Sequence, residues 1–251
     1  MTTSKSTRFW EIDTIRGIAV VMMISFHFLY DLNYFHYISI NLYHSYFLIY
    51  VYFTASLFLL LVGISLTLSY SKAQKTFTKK KLRFKFIRRG LFIFSLGLLI
   101  TFVTWIYLPR GFIVFGVLHC IGISIILAHP FIRYIIQPFL LGILFIAIGI
   151  FIKTLTFDFP YLLWLGFTPS NFYTVDYFPL LPWFGVVLIG ISIGNTFYAN
   201  GIRKFTLNDK NHLIIVKITT FLGRHSLIIY LLHQVILVGI FTLVTFLDRI
   251  F

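Results

Sequence analysis

The chain has 251 residues, of which 59% are hydrophobic and 11% are charged, and its formal net charge is +14. Soluble domains carry roughly 25% charged residues, so this composition excludes a water-soluble globular domain and indicates an integral membrane protein. The single cysteine, Cys120, excludes an internal disulfide and a cysteine-rich metal site. The positive charge lies between apolar segments, where it indicates membrane topology rather than a surface for nucleic acid.

Seven apolar segments are long enough to cross a hydrocarbon core of about 30 Å. We predict membrane spans at approximately residues 15–32, 47–70, 87–107, 112–129, 132–153, 179–199 and 226–247. Residues 212–222 favour a short helix at the membrane interface. The sequence therefore predicts an all-α membrane protein that forms a single domain over residues 1–251.

The distribution of basic residues predicts the orientation of these spans. If the N-terminus is cytoplasmic, 18 of the 21 Lys and Arg residues fall in inside segments, and only Arg110, Lys153 and Arg249 lie outside. Cytoplasmic loops of membrane proteins carry an excess of Lys and Arg. We therefore expect a cytoplasmic N-terminus and an outside C-terminus.

The stretch 8–33, which includes the first span, is unusual because a single stripe of it carries four ionisable residues: Asp13, Arg16, His27 and Asp31. At 100° per residue, His27 lies about 20° from Arg16, and both aspartates lie about 60° from it. Ionisable groups at membrane depth usually face a protein interior or a wet cavity. This stripe predicts a polar channel along the helix, and the alternative interpretation is a helix end with charged anchors and one core histidine.

Further polar residues are predicted at three depths. Arginines at the inner surface suit a phosphate-bearing cytosolic ligand, because guanidinium binds phosphate bidentately. The residues predicted at this surface are Asp13, Arg16, Arg88, Arg89 and Arg224. His27 and His119 are expected at similar mid-membrane depth, where a histidine is suited to general-base catalysis. Aromatic and acidic residues near the outer surface suit a sugar, and the candidates are Tyr30, Tyr34, Asp176 and Trp183.

Several of these residues also have plain structural interpretations. The basic loop 72–89 serves as a topology signal in many membrane proteins, and His119 could be a hydrogen-bonded core histidine. His225 and His233 favour a structural role. Cys120 is expected to be inert packing, and no spacing of metal ligands stands out.

Motifs along nearly the whole chain resemble one known family. The first span, EIDTIRGIAVVMMISFHFLYDL, is similar to the opening signature of the heparan-alpha-glucosaminide N-acetyltransferase-like catalytic domain family, in its small prokaryotic branch. Later matches are RRGLFIFSLGLLIT, GVLHCIGISIIL, DYFPLLPWFGVVLIGISIG and LGRHSLIIYLLHQVIL. The opening also resembles broader membrane acyltransferases that O-acylate glycans, which share Asp-x-x-Arg-Gly and a histidine eleven residues after the arginine.

This resemblance implies transfer of an acetyl group from cytosolic acetyl-CoA to an amine or hydroxyl of an extracytoplasmic sugar, without a metal. By position, His27 matches the essential histidine of the glycan-acylating relatives, and Arg16 matches their arginine near CoA. The lysosomal heparan enzyme has asparagine at the position of His27 and a catalytic histidine in the following outside loop, for which His36 and His44 are the nearest counterparts here. We expect His27 to be the base and Asp31 to steady it.

Two other classes of function remain open from sequence. A small secondary transporter or channel would use the polar stripe as a permeation path, although such proteins often show internal repeats and none is visible here. A membrane anchor or assembly protein would use the stripe for helix contacts. The expected partners are acyl-CoA, a sugar or glycan, membrane lipid and no nucleic acid, and the sequence leaves open a homodimer and an acetyl-histidine intermediate.

Overall fold

The computed structural model describes residues 8–42, 44–108 and 110–248. Lys5 and Arg249, which enter the predicted charge balance, lie outside these described residues. Within these ranges the chain forms eight α-helices, namely α1 (Trp10–Tyr34), α2 (Ser45–Ala73), α3 (Lys79–Tyr107), α4 (Val117–Ala128), α5 (Ile136–Ile152), α6 (Leu180–Phe197), α7 (Ile214–Arg224) and α8 (Ser226–Leu247). The described part contains no β-strand beyond one isolated bridge between Phe115 and Tyr177.

Each predicted span coincides with a helix, and the predicted interfacial segment coincides with α7. Five of the described helices, α1, α2, α3, α6 and α8, are long and apolar enough to cross a membrane. The other two apolar helices are shorter, with 12 residues in α4 and 17 in α5. The all-α, multi-pass membrane protein is therefore confirmed, while seven spans and the orientation of the termini stay predictions.

Many large apolar side chains point outward from the helices. Examples are Phe92 and Phe102 on α3, Ile150 on α5, and Val235 and Leu243 on α8, each at least half exposed. In water such a surface would be an aggregation hazard, whereas lipid solvates it. The backbone polar groups stay paired inside the helices, as the bilayer interior requires.

The chain divides into two compact units. The first comprises Met1–Phe58 and Leu207–Phe251, and the second comprises Leu59–Thr206. The first therefore contains α1, the beginning of α2, α7 and α8, whereas the second contains the rest of α2 and α3 to α6. The prediction of one domain over the whole chain stays a prediction.

In the first unit, α1 packs against α7 and α8. The contact with α7 is a backbone-to-backbone approach made possible by two glycines. A Cβ at Gly17 would overlap the carbonyl oxygen of Thr219, and one at Gly223 would overlap the carbonyl oxygen of Asp13. The hydroxyl groups of Thr14 and Thr220 lie 3.0 Å apart on the same seam. The close crossing brings the end of α7 directly beside the first turns of α1.

In the second unit, α3 packs on α4, and α6 packs on both α4 and α5. The connection before α6 returns to the beginning of α4, where the N–H of Phe178 donates to the carbonyl of Phe115 at 2.9 Å. The hydroxyl of Thr174 donates to the carbonyl of Phe112 at 2.7 Å. These hydrogen bonds hold the loop that carries Asp176 against the N-terminus of α4.

Candidate functional site

The four ionisable residues of the predicted stripe all lie on α1, within the first unit. Asp13 and Asp31 are buried, with 7% and 2% of their surface exposed, and Arg16 and His27 are partly buried. A helix that buries two carboxylates must provide partners for them, because an unpaired buried charge is very costly. Those partners come from the same helix, from α7 and from α8.

At the N-terminal end of α1, Asp13 binds two arginines. The Nη1 of Arg16 donates to Oδ1 of Asp13 at 2.9 Å, and the Nε of Arg224 donates to Oδ2 at 3.3 Å. One carboxylate thus orients two guanidinium groups, one from α1 and one from the end of α7. Arg224 has a side chain that is 45% exposed, so this charge remains accessible to an anion. The arrangement can bind phosphate.

Two turns before the end of α1, His27 is fixed in one tautomer. Its Nδ1 lies 2.9 Å from the carbonyl oxygen of Met23, one turn earlier. A carbonyl only accepts hydrogen bonds, so Nδ1 carries the hydrogen and donates. The neutral ring therefore has its lone pair on Nε2. A histidine with a fixed ring and a free Nε2 lone pair can accept a proton from a substrate.

A second histidine, His233 of α8, packs against His27. The two ring centroids are 4.7 Å apart and the rings are nearly perpendicular, at 84°. The Nδ1 of His233 donates to the carbonyl of Tyr230 at 2.7 Å, so its lone pair also lies on Nε2. This Nε2 is buried and has no hydrogen-bond partner. The contact therefore joins two imidazoles that both present an acceptor when neutral.

Asp31 lies one turn after His27 and is bound by Gln234, the residue that follows His233 on α8. The Nε2 amide of Gln234 donates to both carboxylate oxygens of Asp31, at 2.9 and 3.1 Å. The Oε1 of Gln234 is buried without a partner. Asp31 is thus held by Gln234, and within the described part of the chain it makes no hydrogen bond with His27. Its carboxyl group nevertheless lies on the same face of α1, one turn away.

The remaining residues predicted for the cofactor lie in the second unit. Arg88 and Arg89 are exposed on α3. His119 is 2% exposed and packs between Phe94 and Phe115. Its Nδ1 accepts the N–H of Gly116 at 3.2 Å, and its Nε2 lies 3.4 Å from the hydroxyl of Thr101. Both ring nitrogens are therefore occupied, and a role of His119 in cofactor binding stays a prediction.

Among the residues predicted to bind the acceptor, Asp176 has a clear structural partner. Its Oδ2 accepts the N–H of Val117 at 3.3 Å, in the first turn of α4. Burial raises the pKa of Asp176 to about 6, although the hydrogen bond from Val117 lowers it. Trp183 is buried on α6 and contacts Phe178, with ring centroids 5.0 Å apart. Both side chains thus help to hold the loop before α6 in place within the second unit.

The other predicted acceptor residues and the alternative base lie near the end of α1. Tyr34 is 60% exposed, and Tyr30 is partly buried. His36 follows in a left-handed conformation, with φ of 65°, and lines an open cavity of about 550 Å³ together with Asn33 and Tyr37. His36 thus stays a candidate base beside His27. Among the described residues, no three His, Cys, Asp or Glu side chains group as metal ligands.

Two residues that contact the stripe, His233 and Gln234, are not among the site residues predicted from the sequence. The sequence favoured a structural role for His233, and Gln234, which follows it directly in YLLHQVIL, was not considered. Two adjacent polar residues in the middle of an apolar helix are the signal that points to them, because such residues usually have partners inside the protein. Their partners, His27 and Asp31, belong to the stripe predicted on α1.

The comparisons with known proteins agree with the resemblance seen in the motifs. A family model described as Heparan-alpha-glucosaminide N-acetyltransferase, catalytic, matches residues 8–235. No curated protein and no solved structure matches the chain. The match extends from the first turn of α1 to the His233–Gln234 pair of α8, and it includes every residue predicted for the site. The chain therefore belongs to the heparan-alpha-glucosaminide N-acetyltransferase catalytic family and is a membrane acetyltransferase by family.

Proposed function

We propose that the protein transfers an acetyl group from cytosolic acetyl-CoA to an amine or hydroxyl of an extracytoplasmic sugar or glycan, with His27 as general base. The observation that carries this proposal is the fixed tautomer of His27. Its Nδ1–H is held by the carbonyl of Met23, so its Nε2 lone pair is available in a family of acetyltransferases. A positioned histidine base typically contributes about 10²–10⁴-fold to a rate.

The proposed step is a direct transfer. The acceptor nitrogen or oxygen attacks the thioester carbonyl while His27 Nε2 takes the acceptor proton, so that an amide or ester bond forms. The carbon–sulfur bond then breaks, and the CoA thiolate leaves and takes the proton back from His27. Asp31 stabilises the intermediate imidazolium through its negative charge, one turn along α1, and Gln234 holds Asp31 in place.

For the donor, we propose that Arg16 and Arg224 bind phosphate groups of CoA. Asp13 orients both guanidinium groups, and the side chain of Arg224 is 45% exposed. Charge-assisted hydrogen bonds from arginine to phosphate are among the strong ones in proteins. Arg88, Arg89 and His119 remain proposed contributors to donor binding on the ground of their sequence positions.

For the acceptor, we propose Tyr30, Tyr34, Asp176 and Trp183 as sugar contacts, because rings stack on sugars and carboxylates accept hydroxyl hydrogen bonds. The excess of Lys and Arg in predicted inside loops supports a cytoplasmic N-terminus. The resemblance to the small prokaryotic branch of the family supports a prokaryotic plasma membrane. The same basic loops suit contact with anionic lipid. A homodimer is compatible with the proposal and is not required by it.

The proposal is tested with the full chain purified in detergent. Calorimetric titration is expected to show binding of CoA, and Arg16→Ala is expected to weaken it about tenfold, because a charged hydrogen bond is lost. Incubation with acetyl-CoA and an amino sugar should release free CoA thiol, measured with a thiol reagent. An absence of CoA binding in the folded wild-type protein would overturn the proposal and favour the transporter alternative.

The assignment of the base is tested separately with His27→Ala. This variant should lose acetyl transfer and keep its affinity for CoA, since His27 is expected to contact the acceptor rather than the phosphates. His36→Ala is the matched control, because His36 is the nearest alternative base at the end of the same helix. Full activity in His27→Ala together with loss in His36→Ala would move the base to the loop.

A further inference from the structure

The unpaired Nε2 of His233, at the contact with His27, has no role in general-base catalysis by His27 alone. His233 is 8% exposed, and its Nε2 is buried with no hydrogen-bond partner. Buried polar atoms are nearly always paired, so an orphan atom of this kind calls for an explanation. The atom is an acceptor, because the hydrogen of the neutral ring is held on Nδ1 by the carbonyl of Tyr230.

The missing partner of this atom must be a donor. Within the described part of the first unit, the nearest ring is that of His27, at 4.7 Å between centroids. Neutral His27 has no hydrogen on Nε2, because its own hydrogen is held on Nδ1 by Met23. Protonated His27 does carry one there. Protonation of His27 therefore creates a donor beside His233.

Two imidazolium ions at this separation would repel each other, so the pair is suited to hold one proton rather than two. Several ionisable groups occupy neighbouring turns of the packed helices. These are Asp31 on α1, Tyr230 on α8 and Tyr50 on α2, whose hydroxyl lies 3.2 Å from the carbonyl of Met22. The nearby carboxylate of Asp31 favours the single positive charge of the pair.

We propose that His233 is a positioning residue for the acetyl transfer, which stabilises protonated His27 by accepting a hydrogen bond from it at the unpaired Nε2. This inference rests on the proposed function, in which His27 is the base. The acceptor proton moves to the Nε2 of His27, the Nε2 of His233 accepts a hydrogen bond from it, and the proton then leaves with the CoA thiolate. The interaction exists after proton transfer and not before, which is the condition for lowering the barrier.

The test compares two conservative variants of His233. Glutamine has the length to place an oxygen acceptor near the position of the histidine Nε2, whereas asparagine is too short to do so. We expect His233→Gln to keep a rate within a few-fold of wild type. We expect His233→Asn to lower kcat about tenfold and to shift the acidic limb of its pH profile about one pH unit lower, because protonated His27 loses its acceptor.

The matched control is His225→Asn. His225 precedes α8, and its Nδ1 is bonded to the carbonyl of Phe221 at 2.9 Å, as in the other two histidines, but the side chain is exposed. This variant should keep the wild-type kcat and pH profile. Equal profiles for His233→Asn and His233→Gln, or an unshifted acidic limb in His233→Asn, would overturn the inference and leave His233 a packing residue.

A second measurement separates this inference from the proposed function. Nitrogen-15 NMR of histidine-labelled protein in detergent follows ring protonation without any substrate. The signal of His27, assigned by its loss in His27→Ala, should titrate at lower pH in His233→Asn than in wild type or in His233→Gln. If the His27 titration shifts in His233→Asn but wild type shows no acetyl transfer, the His27–His233 interaction is retained and the proposed enzyme activity is refuted. If wild type transfers acetyl groups but the titration does not shift, only the His27–His233 interaction is refuted.

Discussion

Both units of the chain contain histidines within their helix packing, but the ring nitrogens of these histidines are bonded differently in the two units. In the second unit, both nitrogens of His119 are hydrogen-bonded, and two phenylalanine rings pack around it. In the first unit, His27 and His233 each have one nitrogen bonded to a carbonyl one helical turn back, and the buried Nε2 of His233 has no partner. A saturated imidazole stabilises a fold, whereas an unsaturated pair is suited to moving a proton.

The largest expected effect distinguishes His27, which we expect to be needed for activity, from His119, which we expect to be needed for stability. His27→Gln should lower the acetyl-transfer rate about 10²–10⁴-fold, because a general base is lost, and should leave thermal stability nearly unchanged. His119→Gln should lower the free energy of unfolding by about 1–3 kcal/mol through lost packing and a displaced hydrogen bond. Release of CoA thiol and thermal unfolding in detergent measure the two quantities. If a stable, folded His119→Gln variant lost turnover, His119 would be a residue of the reaction rather than of the fold alone.

The next effect concerns the seam that holds the first unit together. Gly17→Ala places a methyl group against the carbonyl of Thr219, so we expect the unfolding free energy to fall by about 1–3 kcal/mol as the helices separate. Because Arg224 reaches Asp13 across this seam, CoA affinity should fall with it. Gly239→Ala on α8 is the control, since its Cβ would meet nothing within 4 Å. Equal stabilities for both variants would show that the seam tolerates the methyl group.

The smallest effect is a pH dependence in the second unit. Asp176 has a pKa raised to about 6 from an ordinary value of 3.8, because its half-buried carboxyl group is partly desolvated beside the first turn of α4. The folded protein then binds this proton more tightly than the unfolded chain, so stability is greatest in acid and falls as the pH rises from about 4 to above 6. We expect a loss of about 1–3 kcal/mol across this range.

Thermal unfolding of wild type and Asp176→Asn, recorded at pH 5 and pH 7.5, checks this expectation. The amide cannot ionise and still offers an oxygen to the N–H of Val117, so the variant should lose most of the pH dependence. The acceptor KM of the same variant tests the proposed contact of Asp176 with a sugar. An unchanged KM with a flattened stability profile would make Asp176 a structural residue of the loop.

The helices and the family were predictable from the sequence because both depend on local patterns. Each of the seven apolar segments forms a helix, and the family match confirms the resemblance read from the motif around Arg16 and His27. Helical periodicity alone also places Asp13, Arg16, His27 and Asp31 on one face of α1, since residues three and four apart are neighbours on a helix. The bond between Arg16 and Asp13 is of this local kind.

The partners of that face were decided only by the tertiary structure. Asp13 is bound by Arg224, 211 residues away, and Asp31 by Gln234, 203 residues away. The sequence predicted neither pair nor the contact of His27 with His233, because apolar helices with similar patterns can pack in several ways. Two glycines allow the close approach at the α1–α7 crossing, Arg224 of α7 binds Asp13, and Gln234 of α8 binds Asp31. These contacts favour the observed packing, because a buried carboxylate without a partner is costly.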